Sequence, residues 1–231
     1  MHFYIIEKLN LIVGWNPKVA CTTIKTLLLK KLGYEIKINV HEMLNDENLQ
    51  SGKYNILYFN PKLNNINLNN YTKICFVRNP YQRLISGIRQ RSEFLNNFKR
   101  YGDLSKNTIN KFLKNLEKYN YVEHHFIPQT DNINGCKFNH IIDIKNMKEL
   151  YNILELDYSN EHFGGHATKY IDNIKINYYN LTLKEIEVNY NKEWSKNIYS
   201  WFTKNDIILI NKLYEKDFIF LKKNGFNYEI K

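Results

Sequence analysis

Apolar residues in this chain gather into short runs separated by polar, often asparagine-rich stretches, and the spacing within each run predicts its element. Leu11, Ile12 and Val13 make an uninterrupted apolar run of strand length, whereas Ile24, Leu27, Leu28 and Leu32 recur at helical spacing. A tight loop, Asn16 to Cys21, joins the two, with Thr22 placed as an N-cap and Gly33 as the residue that stops the helix. Tyr34, Ile36, Ile38 and Val40 then alternate with polar residues, which predicts a half-buried strand ending at His41 and Glu42. Further along, Asn55 to Phe59 reads as a short strand and Lys73 to Val77 as a longer one, with a polar connection over residues 60–70 between them.

Pro80 is placed for the first turn of a helix, where its missing N–H costs nothing, and Leu84, Ile85 and Ile88 give that helix an apolar face. Residues 105–119 read as an amphipathic helix through Ile109, Phe112, Leu113 and Leu116. His140 to Ile144 is expected as a strand, Asn146 to Leu156 as a helix, and Thr182 to Lys223 as helical throughout. In that last stretch Thr203 and Asp206 resemble a capping box, and Gly225 ends the final helix. No repeat or shift in composition marks a boundary, so residues 1–231 are expected to form a single α/β domain.

Composition narrows the choice of partners. A net charge of +10 suits anionic partners: a nucleic acid, an acidic glycan or a nucleotide. The basic residues are spread along the whole chain and no nucleic-acid recognition motif is present, so nucleic acid is not expected. Cys21, Cys75 and Cys136 are too few and too scattered for a disulfide framework or a zinc site, and Cys75 falls in a core strand. The apolar start of the chain is interrupted by Glu7 and Lys8 with no cleavage signature after it. Nor is there a run of about 20 apolar residues to span a bilayer. The chain is therefore expected to be soluble and cytoplasmic, without a membrane span. Its oligomeric state is left open.

The chemistry starts at the first loop. A loop between a strand and a helix N-terminus gathers unpaired backbone N–H groups at the positive end of the helix dipole, which makes it a ready anion site, and Lys18 adds a full charge. The glycine-rich Walker A loop has its Lys directly before a Ser or Thr. Here Lys18 precedes Thr22 by four residues and the loop has no glycine. Asn-Pro-Lys-Val-Ala-Cys-Thr-Thr, residues 16–23, instead resembles the 5′-phosphosulfate loop of sulfotransferases, in the branch that includes the Golgi carbohydrate sulfotransferases. A second element, FVRNPYQRLISGIR, resembles the 3′-phosphate-binding element of the same enzymes: a strand ending in Arg78, a Pro-led turn, and Ser86 eight residues after the Arg. A P-loop kinase would typically supply an Asp for Mg²⁺ at this strand end, not an Arg. His125-Phe126-x-Pro128-Gln129 is similar to the His-Trp-x-Pro-Gln segment of carbohydrate sulfotransferases, with Phe for Trp. The run from Leu213 to Phe218, followed by Gly225-Phe226, resembles the family's closing segment and is expected to pack rather than react.

The resemblance implies a P-loop-like α/β fold with a central, mostly parallel sheet flanked by helices and a helix-rich C-terminal half. It also implies 3′-phosphoadenosine-5′-phosphosulfate, PAPS, as sulfuryl donor and no metal. On its terms Pro17, Lys18, Ala20, Cys21, Thr22 and Thr23 bind the 5′ end of the nucleotide. Arg78 and Ser86 bind the 3′-phosphate, and Thr168 and Lys169 fall where the family loop closes over the nucleotide. Lys18 is expected to stabilise the leaving oxygen. An acceptor hydroxyl must lose its proton, and His41 is the first choice as general base, with Glu42 as fallback and His125 third. Arg83, Arg89 and Arg91 share a helix with Ser86 and could either reach an acidic sugar or simply face solvent. The expected acceptor is a hydroxyl, first of all on a carbohydrate, which could itself be anionic. The alternatives are transfer to a tyrosine or a small phenol or alcohol, and a sulfotransferase-like module that binds nucleotide or glycan without turnover. Enzymes of this branch generally carry an N-terminal Golgi anchor.

Overall fold

A computed structural model describes residues 2–37, 39–59, 69–91, 103–121, 123–133, 136–158, 169–171, 176–188, 193–195 and 197–230. In chain order its elements are β1 (His2–Ile6), β2 (Leu11–Trp15), α1 (Cys21–Lys31), α2 (Val40–Met43), α3 (Asp46–Gln50), β3 (Leu57–Phe59), β4 (Thr72–Val77) and α4 (Pro80–Arg91). There follow α5 (Ile109–Lys118), α6 (Gln129–Ile133), β5 (His140–Asp143), α7 (Met147–Ile153), β6 (Lys169–Ile171), α8 (Leu183–Val188), β7 (Glu193–Ser195), α9 (Ile198–Trp201), α10 (Lys204–Leu213) and α11 (Glu215–Lys223). They divide into two compact units, Met1–Arg78 with Asp131–Ala167, and Asn79–Thr130 with Thr168–Lys231.

The first unit is built on a five-stranded sheet in the order β3-β1-β2-β4-β5. β2, β4 and β5 run parallel, with Val13 opposite Ile74 and Phe76 opposite Ile142. β1 turns back on β2 as an antiparallel hairpin through Asn10, a left-handed residue, and β3 adds to its far side. Alternation within the strands sorts their side chains. Tyr4, Ile6, Val13, Ile74, Phe76 and Ile142 pack with Ile24, Leu27 and Leu28 of α1 and Leu150 of α7, while Phe3, Ile5 and Ile12 point to the other face. Cys75 is fully buried, as a core strand requires. The α/β class read from the sequence is thus the observed one. The hairpin was not foreseen, because Glu7 and Lys8 look like an interruption and are its turn.

Two expectations fail here. Residues 34–37 and 39 form no strand, and Val40–Met43 is a short helix capped by the Asn39 side chain, which accepts from the His41 N–H at 2.9 Å. The alternation was real, since Tyr34 and Ile36 pack on the core while Glu35 and Lys37 are exposed, but one buried face does not by itself supply a ladder partner. Nor is Thr22 the N-cap of α1: that position is Ala20, in the left-handed region with φ 60° and ψ 38°. Gly33 stops α1 as expected. With φ 85° it takes the left-handed turn, and the Gly33 and Tyr34 N–H groups bond to Lys30 and Leu29 carbonyls at 2.9 and 3.0 Å.

The second unit, helix-rich as expected, encloses its own core around Tyr81, Phe112, Phe126, Trp201 and Tyr214. α4 begins at Pro80, and Thr203 with Asp206 forms the capping box that starts α10. The stretch expected to be helical throughout is interrupted by β7, which pairs in parallel with β6. The polar connection over residues 60–68 lies outside the described residues.

Candidate functional site

At the carboxyl ends of the parallel strands the first unit brings together the loop after β2, the residue after β4 and the last residue of β5. In open α/β sheets this is where ligands bind. The loop is strained without any glycine: Lys18 and Ala20 both have positive φ, 70° and 60°. Left-handed residues of this kind cost about 1 kcal/mol each and are the backbone ingredient of anion-binding concavities. Because its N-cap is Ala20, α1 has no side-chain cap, and Cys21, Thr22 and Thr23, each half-buried, form its first turn. Pro17 is buried at the start of the loop.

Beside it, Asn16 is fully buried, and among the described residues neither its Oδ1 nor its Nδ2 has a hydrogen-bond partner. Cys21 is held by its thiol donating to the Asn16 carbonyl at 3.2 Å. Burial pushes that thiol up in pKa, and the bond to Val19 and the charges of Lys25 and Lys18 bring it only part of the way back. Cys21 is therefore a protonated packing group, not a nucleophile.

Arg78, directly after β4, reaches the same loop, its Nη1 donating to the Lys18 carbonyl at 3.0 Å. Asp143 at the end of β5 is buried and caps the next turn through the Lys145 N–H at 2.7 Å. Burial raises the Asp143 carboxyl pKa, against the pull of that bond and of the Lys145 and Arg78 charges.

His41 is exposed in α2 but both its ring nitrogens are engaged. Nε2 lies 3.0 Å from Thr22 Oγ1 and Nδ1 lies 3.0 Å from Lys25 Nζ. Lys25 was missed in the sequence. It is only 5% exposed, and its ammonium sits 5.8 Å from the Tyr4 ring centre and 5.1 Å from that of Trp15. The signal for it was available, since residues three apart on a helix are neighbours and Lys25 follows Thr22 by three. Glu42 is exposed, and among the described residues its carboxylate has no hydrogen-bond partner.

The remaining candidates lie in the second unit. Ser86 is half-buried on α4. Arg83, on the same helix, neither faces solvent nor is free to meet a sugar: it is buried, with Nη1 donating to the Ile127 carbonyl at 2.8 Å. His125 is buried too, with Nδ1 bonded to Glu123 Oε1, and His124 Nδ1 reaches the same oxygen at 2.8 Å. Burial alone would raise the Glu123 carboxyl, yet the hydrogen bonds and charges of the two His residues more than offset it and hold it well below the carboxylate range. The segment around His125 is fastened by the closing segment. The Tyr214 hydroxyl donates to the Phe126 carbonyl at 2.7 Å, and Asp217 accepts from the Gln129 and Thr130 N–H groups at 2.9 and 2.8 Å, capping α6. Thr168 lies outside the described residues, and Lys169 opens β6.

The sequence profile of the Sulfotransferase family matches residues 1–224. The chain belongs to the sulfotransferase family. No curated protein and no solved structure is significantly similar to it. This sulfotransferase is accordingly an enzyme, and its sulfuryl donor is PAPS. The loop fits such a donor: left-handed Lys18 and Ala20 shape a concavity at an uncapped helix start, and the helix N–H groups, the Arg78 side chain and the orphaned Asn16 Nδ2 are donors that phosphosulfate oxygens could accept from. Among the described residues no helix of the sulfotransferase is long and apolar enough to cross a membrane.

Proposed function

We propose that this sulfotransferase sulfates a hydroxyl of a carbohydrate, with the loop of residues 16–23 holding the 5′ end of PAPS. The observation that carries the placement is the strained loop itself, with Lys18 and Ala20 left-handed ahead of a helix that lacks a side-chain cap. Bound there, PAPS supplies an SO₃ equivalent to the acceptor oxygen while its bridging oxygen departs with the nucleotide. Thr22, Thr23 and the N–H groups of residues 20–23 hold the 5′-phosphate. Lys18 faces the charge that develops on the leaving oxygen, the kind of electrostatic positioning that supplies most of the rate in such transfers. Arg78, at the same loop, binds the 3′-phosphate, and the same role for Ser86 rests on its motif alone. Glu42 takes the acceptor proton, since among the described residues its carboxylate is unengaged whereas both ring nitrogens of His41 are occupied. His125 is bound to Glu123 and is assigned to structure.

Support for a carbohydrate acceptor comes from the His125 to Gln129 segment and, for an acidic glycan, from the net charge of +10. The test is thermal unfolding with 3′,5′-adenosine bisphosphate against ADP and ATP, followed by transfer of labelled sulfate to a panel of glycans, tyrosine peptides and phenols. Saturation at about 100 times the dissociation constant adds about 2.7 kcal/mol of stability. A shift specific to the bisphosphate and label on glycan alone are expected. An equal shift with ATP would overturn the nucleotide placement, and label on phenol or peptide would overturn the acceptor class.

A further inference from the structure

Lys25 lies outside the motifs read in the sequence, yet it is buried between two aromatic rings and bonded to His41. A lysine ammonium has three donors and no acceptor. Its 3.0 Å contact with His41 Nδ1 therefore makes that nitrogen an acceptor, and the single proton of the neutral ring sits on Nε2. Nε2–H in turn donates to Thr22 Oγ1 at 3.0 Å. A hydroxyl that accepts from the ring cannot donate to it, so the Thr22 proton is left to point elsewhere. The faces of Tyr4 and Trp15 hold the ammonium in place by cation–π attraction where water is excluded.

We propose that Lys25 is a positioning residue for the sulfuryl donor: through His41 it sets the Thr22 hydroxyl as a hydrogen-bond donor to the 5′-phosphate of the nucleotide. The inference rests on the placement of the donor at the 16–23 loop. It gives His41 a role other than general base, and it gives a buried charge in α1 a purpose that packing alone does not require.

Two measurements test it. Imidazole ¹⁵N spectra of the free wild-type protein at neutral pH are expected to show His41 as the Nε2–H tautomer, and Lys25→Met, which keeps the length of the aliphatic stem, is expected to lose that bias. In calorimetry with 3′,5′-adenosine bisphosphate, Lys25→Met and Thr22→Val are each expected to weaken binding by about tenfold, and the double variant to bind no worse than either. An Nδ1–H tautomer in the wild-type protein would overturn the proposal without recourse to any variant, as would unchanged affinity in a folded Lys25→Met protein or fully additive losses in the double variant. Failure of the wild-type protein to bind the bisphosphate, with the Nε2–H signature intact, would instead overturn the donor placement and leave Lys25 holding His41 for another ligand.

Discussion

Arg78 Nη1 donates to the backbone carbonyl of Lys18 at 3.0 Å, so the residue that follows β4 grips the loop that follows β2 across 60 positions of sequence. A guanidinium can do this and still present other donors to a phosphate, because its five N–H groups fan out in a fixed plane. A lysine ammonium carries its three donors on one nitrogen and lacks that spread. Arg78→Lys is expected to weaken 3′,5′-adenosine bisphosphate binding by about tenfold or more, the worth of a charge-assisted hydrogen bond, with the charge conserved. Calorimetry on the pair of proteins checks it.

The base is expected to be found by comparing two neighbours. Loss of a general base costs about 10²–10⁴ in rate, so Glu42→Gln should lower kcat by that order with little change in bisphosphate affinity. His41→Asn should weaken the affinity, because it releases Thr22. The reverse pattern in kcat, pH profile and binding would return the base role to His41.

At Ala20 the left-handed backbone makes an expectation that no contact would reveal. Ala20→Gly should leave stability within about 1 kcal/mol of wild type, since relief of the left-handed cost is offset by the entropy of a freer unfolded chain. Ala20→Val places a β-branched side chain at φ 60°, where it is a genuine outlier, and should lower both melting temperature and nucleotide affinity.

Gly87 is set by its neighbour rather than by its φ. A Cβ there would lie 2.8 Å from Phe126 Cε1, and that ring is fully buried against Phe112, edge to face at 5.0 Å. Gly87→Ala is expected to destabilise by about 1–3 kcal/mol, overpacking outweighing the gain in helix propensity. Adding Phe126→Leu should recover part of that loss, as a denaturant-melt double-mutant cycle would show.

Glu123 connects stability to acid. Its carboxyl is depressed from the usual 4.5, so the unfolded chain takes up its proton first as pH falls. The stability it contributes is complete above pH 4.5 and is lost progressively below it, as the folded-state pKa is approached. Glu123→Gln should flatten that part of the stability profile, measured by denaturant melts between neutral pH and pH 3.

Much of this was legible in the sequence, for reasons that differ by residue. Leu11 to Val13, Pro80 and the Thr203–Asp206 box are local signals, and each formed the element expected of it. The family was readable because two nucleotide motifs occur in order in one chain. Thr22 was misplaced as a cap because left-handed geometry at an alanine has no sequence signature. The Tyr34 to Val40 stretch failed because alternation reports a buried face, while a strand also needs a partner edge. Lys25 and Asp217 were opaque for a third reason: their roles are defined by His41 and by the Gln129–Thr130 turn, which sequence distance hides.

The hairpin at the front of the chain gives its first residues more weight than their position suggests. β1 is an inner strand, and its Tyr4 is also one of the two rings around the Lys25 ammonium. Loss of β1 would therefore uncover β2 and unseat Lys25. β1 is thus part of the floor under the loop of residues 16–23, and a change made in that strand is felt at the candidate site above it.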